Sequence, residues 1–261
     1  MSDHFDYMPK PPGWRPPEPP APVAPALSDE PEKDSSPATP VKPRISGQPD
    51  EFDPAADGSL ITRLAHILSW VFVPLLMPVY GIILIFSLSI LSLAPMQTKV
   101  VYTLTIFAAN FVVPMILVFL LKKMGLIEDV GLNGRKERLI PYIITVLCLG
   151  GSAFFLYMKG APLWVAMFYA GGALAALINM LINFWWKISA HAAGIAGIVA
   201  MLVQIMKEGV PTTGMTWWIV GAILVSGALG SARIWLGRHT LLQVLAGTLV
   251  GFLSVWSLSL L

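Results

Sequence analysis

From Leu64 onward the chain is built of long apolar runs with short polar breaks between them, at roughly 64–91, 99–121, 139–158, 163–184, 190–206, 215–236 and 240–260. A helix needs about 20 consecutive residues of low charge to cross a bilayer, and these runs approach or exceed that length. They are continuous rather than alternating, which is the pattern of helices and not of a β-barrel. Backbone groups in lipid have to pair within their own segment, and a helix satisfies that demand. The pattern predicts an all-α, polytopic transmembrane bundle of six to seven helices spanning 61–261. Pro74, Pro78 and Pro114 fall inside runs and predict kinks. The 64–91 run, with two of them, reads as one tilted helix or as a helix plus an interfacial segment. The 190–206 run is short but continues from Ser189 and His191. Gly247 and Gly251 have the spacing of a GxxxG helix contact, and Gly194 with Gly197 offers a second small-residue stripe.

Residues 1–60 break the pattern. They hold 15 of the 22 prolines, and 11 of the 15 acids lie in residues 1–57. Such a segment cannot bury enough apolar surface to offset its chain entropy, so it reads as a disordered Pro-rich tail. No apolar core follows the start in the manner of a signal peptide. Docking of a Pro-binding partner is a possible role for the tail; a flexible tail is the simpler one. The whole chain of 261 residues is 56% hydrophobic and 12% charged, against about 25% charged for a soluble domain. The formal net charge of +2 and the lack of a basic, aromatic-laced patch outside the membrane exclude nucleic acid as a partner. Cys148 stands alone in an apolar run, so no intrachain disulfide or CxxC motif exists, and it reads as a small buried hydrophobe.

The remaining charges are unevenly shared between the two membrane faces. Lys122, Lys123, Arg135, Lys136 and Arg138 lie between the second and third runs. Lys187 and His191 follow two runs later, and Arg233, Arg238 and His239 two runs later again. An even number of crossings separates these places, so they share one face. The opposite face has Lys99, Lys159, Lys207 and Glu208. The loop-charge rule assigns the basic face to the cytoplasm, which together with the polar tail predicts a cytoplasmic N-terminus in an inner (cytoplasmic) bacterial membrane.

Lysines at helix ends snorkel to headgroups, which accounts for Lys122, Lys123 and Lys187. Arg233 is different, because it lies late in the apolar run AILVSGALGSARIWLG, and an intramembrane Arg is a functional residue by default. Two histidines and an arginine on one face suit an anionic phosphate group. Arg binds it bidentately, and His serves as nucleophile or proton donor. His66, in the first run, reads as an interfacial polar residue, with a place in the site as the alternative.

The segment SARIWLGRHTLLQVLAGTLVG resembles the third signature of the type-2 phosphatidic acid phosphatase superfamily, in which Arg, His and Asp follow at fixed spacing. Here the three positions are Arg233, His239 and Gln243. KISAHAAG resembles the second signature, Pro-Ser-Gly-His, with Ile188, Ser189, Ala190 and His191. RKERLIPY resembles the first, with Arg138 matching its arginine, Gly131 at its lysine position, and Lys136 or Arg135 as substitutes. The resemblance covers about 120–255. It implies a metal-free and cofactor-free phosphoryl transfer. His239 would attack phosphorus, His191 would protonate the leaving alkoxide, and Arg233, Arg138, Lys136, Arg135, Ser189 and Ala190 would hold phosphate oxygens. The implied substrate is a membrane lipid phosphate or polyprenyl pyrophosphate.

Gln243 is the departure with chemical weight. At i, i+4 it shares a face with His239. Its amide oxygen can accept the imidazole N–H, but it brings no charge to stabilise an imidazolium. Glu137 is a candidate replacement carboxylate, with an exposed loop charge as the alternative. Two expectations therefore stand: an integral membrane phosphatase working through a phosphohistidine at His239, or a degenerate, non-catalytic lipid-phosphate binder or scaffold. A transporter is disfavoured, because no paired acids or broken helix pair mark the mid-membrane.

Overall fold

The computed structural model describes residues 58–125, 139–208 and 214–259. Residues 1–57 of the Pro-rich tail and the basic segment with Arg135, Lys136, Glu137 and Arg138 lie outside the described residues, while Ser59 and Leu60, assigned to the tail from sequence, are the N-cap and first residue of the first helix. Those described are helical, with no strand among them. Helix α1 is Leu60–Val71 and α2 is Met77–Leu88. Next come α3 (Met96–Lys123), α4 (Leu139–Met158) and α5 (Leu163–Asn183). The last three are α6 (Ala190–Lys207), α7 (Met215–Trp235) and α8 (Leu241–Leu258). The six helices from α3 to α8 are each long and apolar enough to cross a membrane.

The outer surface has the chemistry of a lipid-facing one. Large apolar side chains such as Leu147, Phe154, Leu224, Leu245 and Leu249 are more than half exposed. Trp185 lies just past α5 at one end of the bundle and Trp217 opens α7 at the other, both strongly exposed. Tryptophans at both ends are the usual membrane-interface anchors. Helix α6 is the exception, with 67% of its apolar window buried against 22–44% for the other five. It packs against α2, α5, α7 and α8, making it the central post of the bundle.

The first apolar run is two helices. Phe72 caps α1 and Val73 is extended, and Pro74 then opens a short 3-10 turn that leads into α2. The two pieces are bent by 41°. Pro74 and Pro78 both occupy the opening positions of their segments, where the missing N–H is harmless. The run therefore breaks instead of tilting as one rod. Pro114 acts within α3. Its lack of an N–H removes one hydrogen bond from the ladder, and the helix widens to a π turn over Ala108–Val112 just before it. Buried Asn110, inside that turn, donates from Nδ2 to Ile106 O at 3.1 Å and to Ser152 Oγ of α4 at 2.7 Å.

The glycine stripes do what their spacing suggests. A Cβ on Gly251 would fall 2.6 Å from Ala193 Cα, and one on Gly247 would fall 3.2 Å from the Ser189 carbonyl carbon, with the carbonyl oxygens closer still. These two glycines let the backbones of α8 and α6 touch. On the other stripe, Gly194 faces Met77 and Gly197 faces Val255. Cys148 is only partly buried, on α4.

Candidate functional site

Two helix junctions meet at one end of the bundle. The first joins α7 to α8. Gly237, at φ +62°, ends α7 in the left-handed conformation that glycine adopts without penalty. Gly237 N–H donates to Ile234 O at 2.9 Å and Arg238 N–H to Arg233 O at 3.0 Å, the paired bonds of a Schellman motif. His239 N–H also donates to Arg233 O, at 3.3 Å. This closure fixes the backbone of Arg233 against that of His239, so their six-residue spacing is a turn geometry and not a helical one.

Helix α8 then starts with a capping box. Thr240 Oγ1 accepts from Gln243 N–H at 3.4 Å, and Gln243 Oε1 accepts from Thr240 N–H at 3.3 Å. The reciprocal pair satisfies two orphan donors at once. It also settles the amide orientation, since a backbone N–H can only donate. The oxygen of Gln243 therefore faces His239, whose Nδ1 is 3.1 Å away. An acceptor at that position requires the proton on Nδ1, so in the neutral ring the lone pair is on Nε2. His239 itself is buried, at 7% exposure.

The second junction joins α5 to α6. Ser189 is the N-cap of α6, with its hydroxyl accepting from Ala192 N–H at 3.3 Å. Its own N–H donates to Gln243 O at 3.2 Å, and the residue is fully buried. Ser189 thus stands behind the site as the bracket between α6 and α8. His191 follows in the first turn of α6, and its Nε2–H donates to Ser69 O of α1 at 3.2 Å. A carbonyl only accepts, so Nε2 carries that proton and Nδ1 has the lone pair of the neutral ring. Helix α1 is tied to α7 as well: Trp235 Nε1–H donates to Thr62 Oγ1 at 3.0 Å.

His191, Arg233, His239 and Ala190 line one cavity of about 610 Å³. That volume is within the range of sites for small organic ligands. The wall continues inward through Asn179, Tyr169, Gly197, Gly251 and Val255, so a polar mouth leads into an apolar interior. The structure thus brings Arg233, His191, His239 and Ala190 to one space and sets Gln243 directly behind His239. Arg138, Lys136 and Arg135 lie outside the described residues, though Pro141 and Tyr142 from the first turn of α4 line the same cavity. Among the described residues, no group of three His, Cys, Asp or Glu side chains could hold a metal ion.

Several polar wall residues lay outside the sequence-derived set. His66, for which the sequence left both an interfacial place and a place in the site open, lines the cavity from α1, as does Ser69. Asn179 and Thr145 line it from α5 and α4. Intramembrane polarity was the available signal for Asn179, because Asn179 and Asn183 stand four apart in an otherwise apolar run. Comparison with known proteins adds no relative: no protein-family model, no curated protein and no solved structure matches this chain.

Proposed function

We propose that this integral membrane protein hydrolyses a lipid phosphate or polyprenyl pyrophosphate at the end of the bundle where α6 and α8 begin. The observation that carries this reading is the single cavity lined by His191, Arg233 and His239, with Gln243 fixing the tautomer of His239. His239 Nε2, with its lone pair, attacks phosphorus. The P–O bond to the lipid breaks as the P–N bond forms, and His191, protonated at Nδ1, gives its proton to the leaving alkoxide or phosphate. His191 then takes a proton from water, which attacks the phosphohistidine and releases inorganic phosphate. Arg233 neutralises the charge on the equatorial oxygens, a contribution phosphoryl transfer depends on. The apolar interior of the cavity suits a hydrocarbon chain. The resemblance to type-2 phosphatidic acid phosphatases supports the same reading through Arg233, His239 and His191, and extends it to Arg138.

The test is phosphate release by the purified protein in detergent from phosphatidic acid and from undecaprenyl pyrophosphate. Turnover of either, abolished by His239→Ala, is expected, together with an acid-labile phosphoenzyme. Folded protein that turns over neither overturns the reading. One observation favours the second reading, a non-catalytic lipid-phosphate binder: the group behind His239 is a neutral amide already engaged by the Thr240 N–H. That reading expects lipid-phosphate binding dependent on Arg233 without a phosphohistidine.

A further inference from the structure

The histidines of this fold are gathered at one place. Three of the four in the chain are among the described residues, and all three, His66, His191 and His239, line the same cavity. The rings of His191 and His239 are held by Ser69 O and Gln243 Oε1. His66 is exposed and makes no hydrogen bond or ion pair with a described residue. No carboxylate lines the cavity. Glu208, the one acid among the described residues, caps α6 at the opposite end from His191.

Two hydrogen bonds fix where His66 stands. It is four residues after Thr62 and three before Ser69, and residues at those helical spacings have Cβ atoms about 5–6 Å apart. Thr62 Oγ1 receives Nε1–H of Trp235, two residues after Arg233, at 3.0 Å. Ser69 O receives His191 Nε2–H at 3.2 Å. Ser69 O is among the last carbonyls of α1, which lack a partner within the helix, so this bond closes the helix end as well as orienting His191. Helix α1 is therefore pinned on either side of His66, once next to the Arg233 turn and once on His191 itself. Thr62, Ala65 and Ser69 form its buried stripe, and His66 flanks that stripe on the side of the cavity.

The three imidazoles do not converge on an ion-sized point, because no group of three His, Cys, Asp or Glu among the described residues could hold a metal ion. What they share with Arg233 is a cavity of about 610 Å³, which suits a polyatomic anion touched at several places. An imidazole has an N–H to donate in either charge state, and a bond from it to an ionised oxygen is of the strong kind. We propose that His66 donates to a phosphate oxygen of the ligand from the α1 side, so that α1 is part of the binding site and not only an interfacial helix. This rests on the cavity being a lipid-phosphate site. The first phosphate of the lipid and the second phosphate of a diphosphate offer the same acceptor, and two probes tell them apart.

The experiment measures the affinities of the full-length protein in detergent for farnesyl phosphonate and for farnesyl methylenediphosphonate, whose C–P links resist hydrolysis. His66→Leu is expected to lose about 10-fold to 100-fold in affinity, the worth of a hydrogen bond to a charged group. His66→Lys, which restores an N–H donor, should recover most of that loss. Both variants should keep the wild-type Tm, since the side chain is exposed and unbonded. An equal loss for both probes assigns His66 to the first phosphate, and a loss confined to the diphosphonate assigns it to the second. Unchanged affinity of His66→Leu for both probes, while Arg233→Gln weakens them, overturns the assignment of His66 and leaves the lipid-phosphate reading standing. A loss that His66→Lys does not recover also overturns it, because packing and not an N–H donor would then be its cause. If neither probe binds the folded wild type, the lipid-phosphate reading fails and the role of His66 fails with it.

Discussion

Substituting Gly251 with alanine probes the contact that holds the two histidine-bearing junctions together. The new Cβ would lie 2.6 Å from both Cα and carbonyl C of Ala193, and closer to its oxygen, where real Cβ contacts essentially never fall under 3.0 Å. Reaching ordinary contact at 3.4 Å requires the backbones of α6 and α8 to part by about 0.8 Å or more. The obstacle is main chain, so no side-chain rotamer can relieve it. Overpacking of this kind costs roughly 3 kcal/mol, the upper end of the usual range. The better helix propensity of alanine returns about 1 kcal/mol. The net loss of about 2 kcal/mol corresponds to a fall of roughly 4–8 °C in Tm for a domain of this size. The control is Gly151→Ala on α4, an exposed position with nothing within 4 Å of the new Cβ, where propensity acts alone and Tm should rise by about 2–4 °C. Thermal unfolding of both variants in one detergent gives the comparison. The same shift pulls Ser189 from Gln243 O, so lipid-phosphate affinity should fall in Gly251→Ala and hold in Gly151→Ala. A Gly251→Ala protein as stable as wild type would refute the close packing of α6 on α8.

Two other changes separate local geometry from bulk stability. Gly237→Ala places a side chain at φ +62°, costing about 1–2 kcal/mol; Tm should fall accordingly and lipid-phosphate affinity should fall with it, because the same turn fixes Arg233 against His239, whereas Gly237→Asn should recover much of both. Ser152→Ala removes the Asn110 bond between α3 and α4; a loss of about 0.6 kcal/mol and no more than about 1.7 is expected from unfolding in denaturing detergent, as for other hydrogen bonds between membrane helices.

The helices were legible because length and continuous hydrophobicity dictate them without reference to neighbours. The Gly247–Gly251 contact was legible for the same kind of reason, since only a close backbone approach explains that spacing in lipid. Parity of crossings also brought Arg233, His191 and His239 to one end, independent of orientation. What the sequence could not resolve was whatever depended on how two elements meet. Pro74 and Pro78 announced a break but not whether the run tilts or splits, and that choice decides whether Ser69 reaches His191. His66 looked interfacial from its place early in that run, and Ser69 carried no signal of its own. Ser189 looked like a phosphate ligand by its place beside His191, and its N–H and hydroxyl turned out to be partners of Gln243 and Ala192. Asn179 was one polar residue among several until the cavity gave it a wall to stand on.

Gln243 decides between the catalytic and the binding readings, and the capping box dictates how to ask. Aspartate is the residue suggested by the resembling signature, but it is one carbon shorter than glutamine. The observed side chain reaches back to Thr240 N–H while accepting from His239 Nδ1, and an N3 residue spans that distance as Glu or Gln. Gln243→Glu should therefore keep both bonds and add the missing charge beside the ring that becomes cationic in transfer. Gln243→Asp should add the charge but loosen the cap, with a loss of about 1 kcal/mol in helix stability. If phosphorus is attacked by His239, turnover should rise in Gln243→Glu. The comparable loss of charge in a Ser-His-Asp triad lowers turnover by about 10⁴, so a gain of tenfold or more is readily detectable. Any rise in Gln243→Asp should be smaller and accompanied by a lower Tm. A Gln243→Glu protein that binds lipid phosphate, stays as stable as wild type and still releases no phosphate would assign the cavity to binding alone.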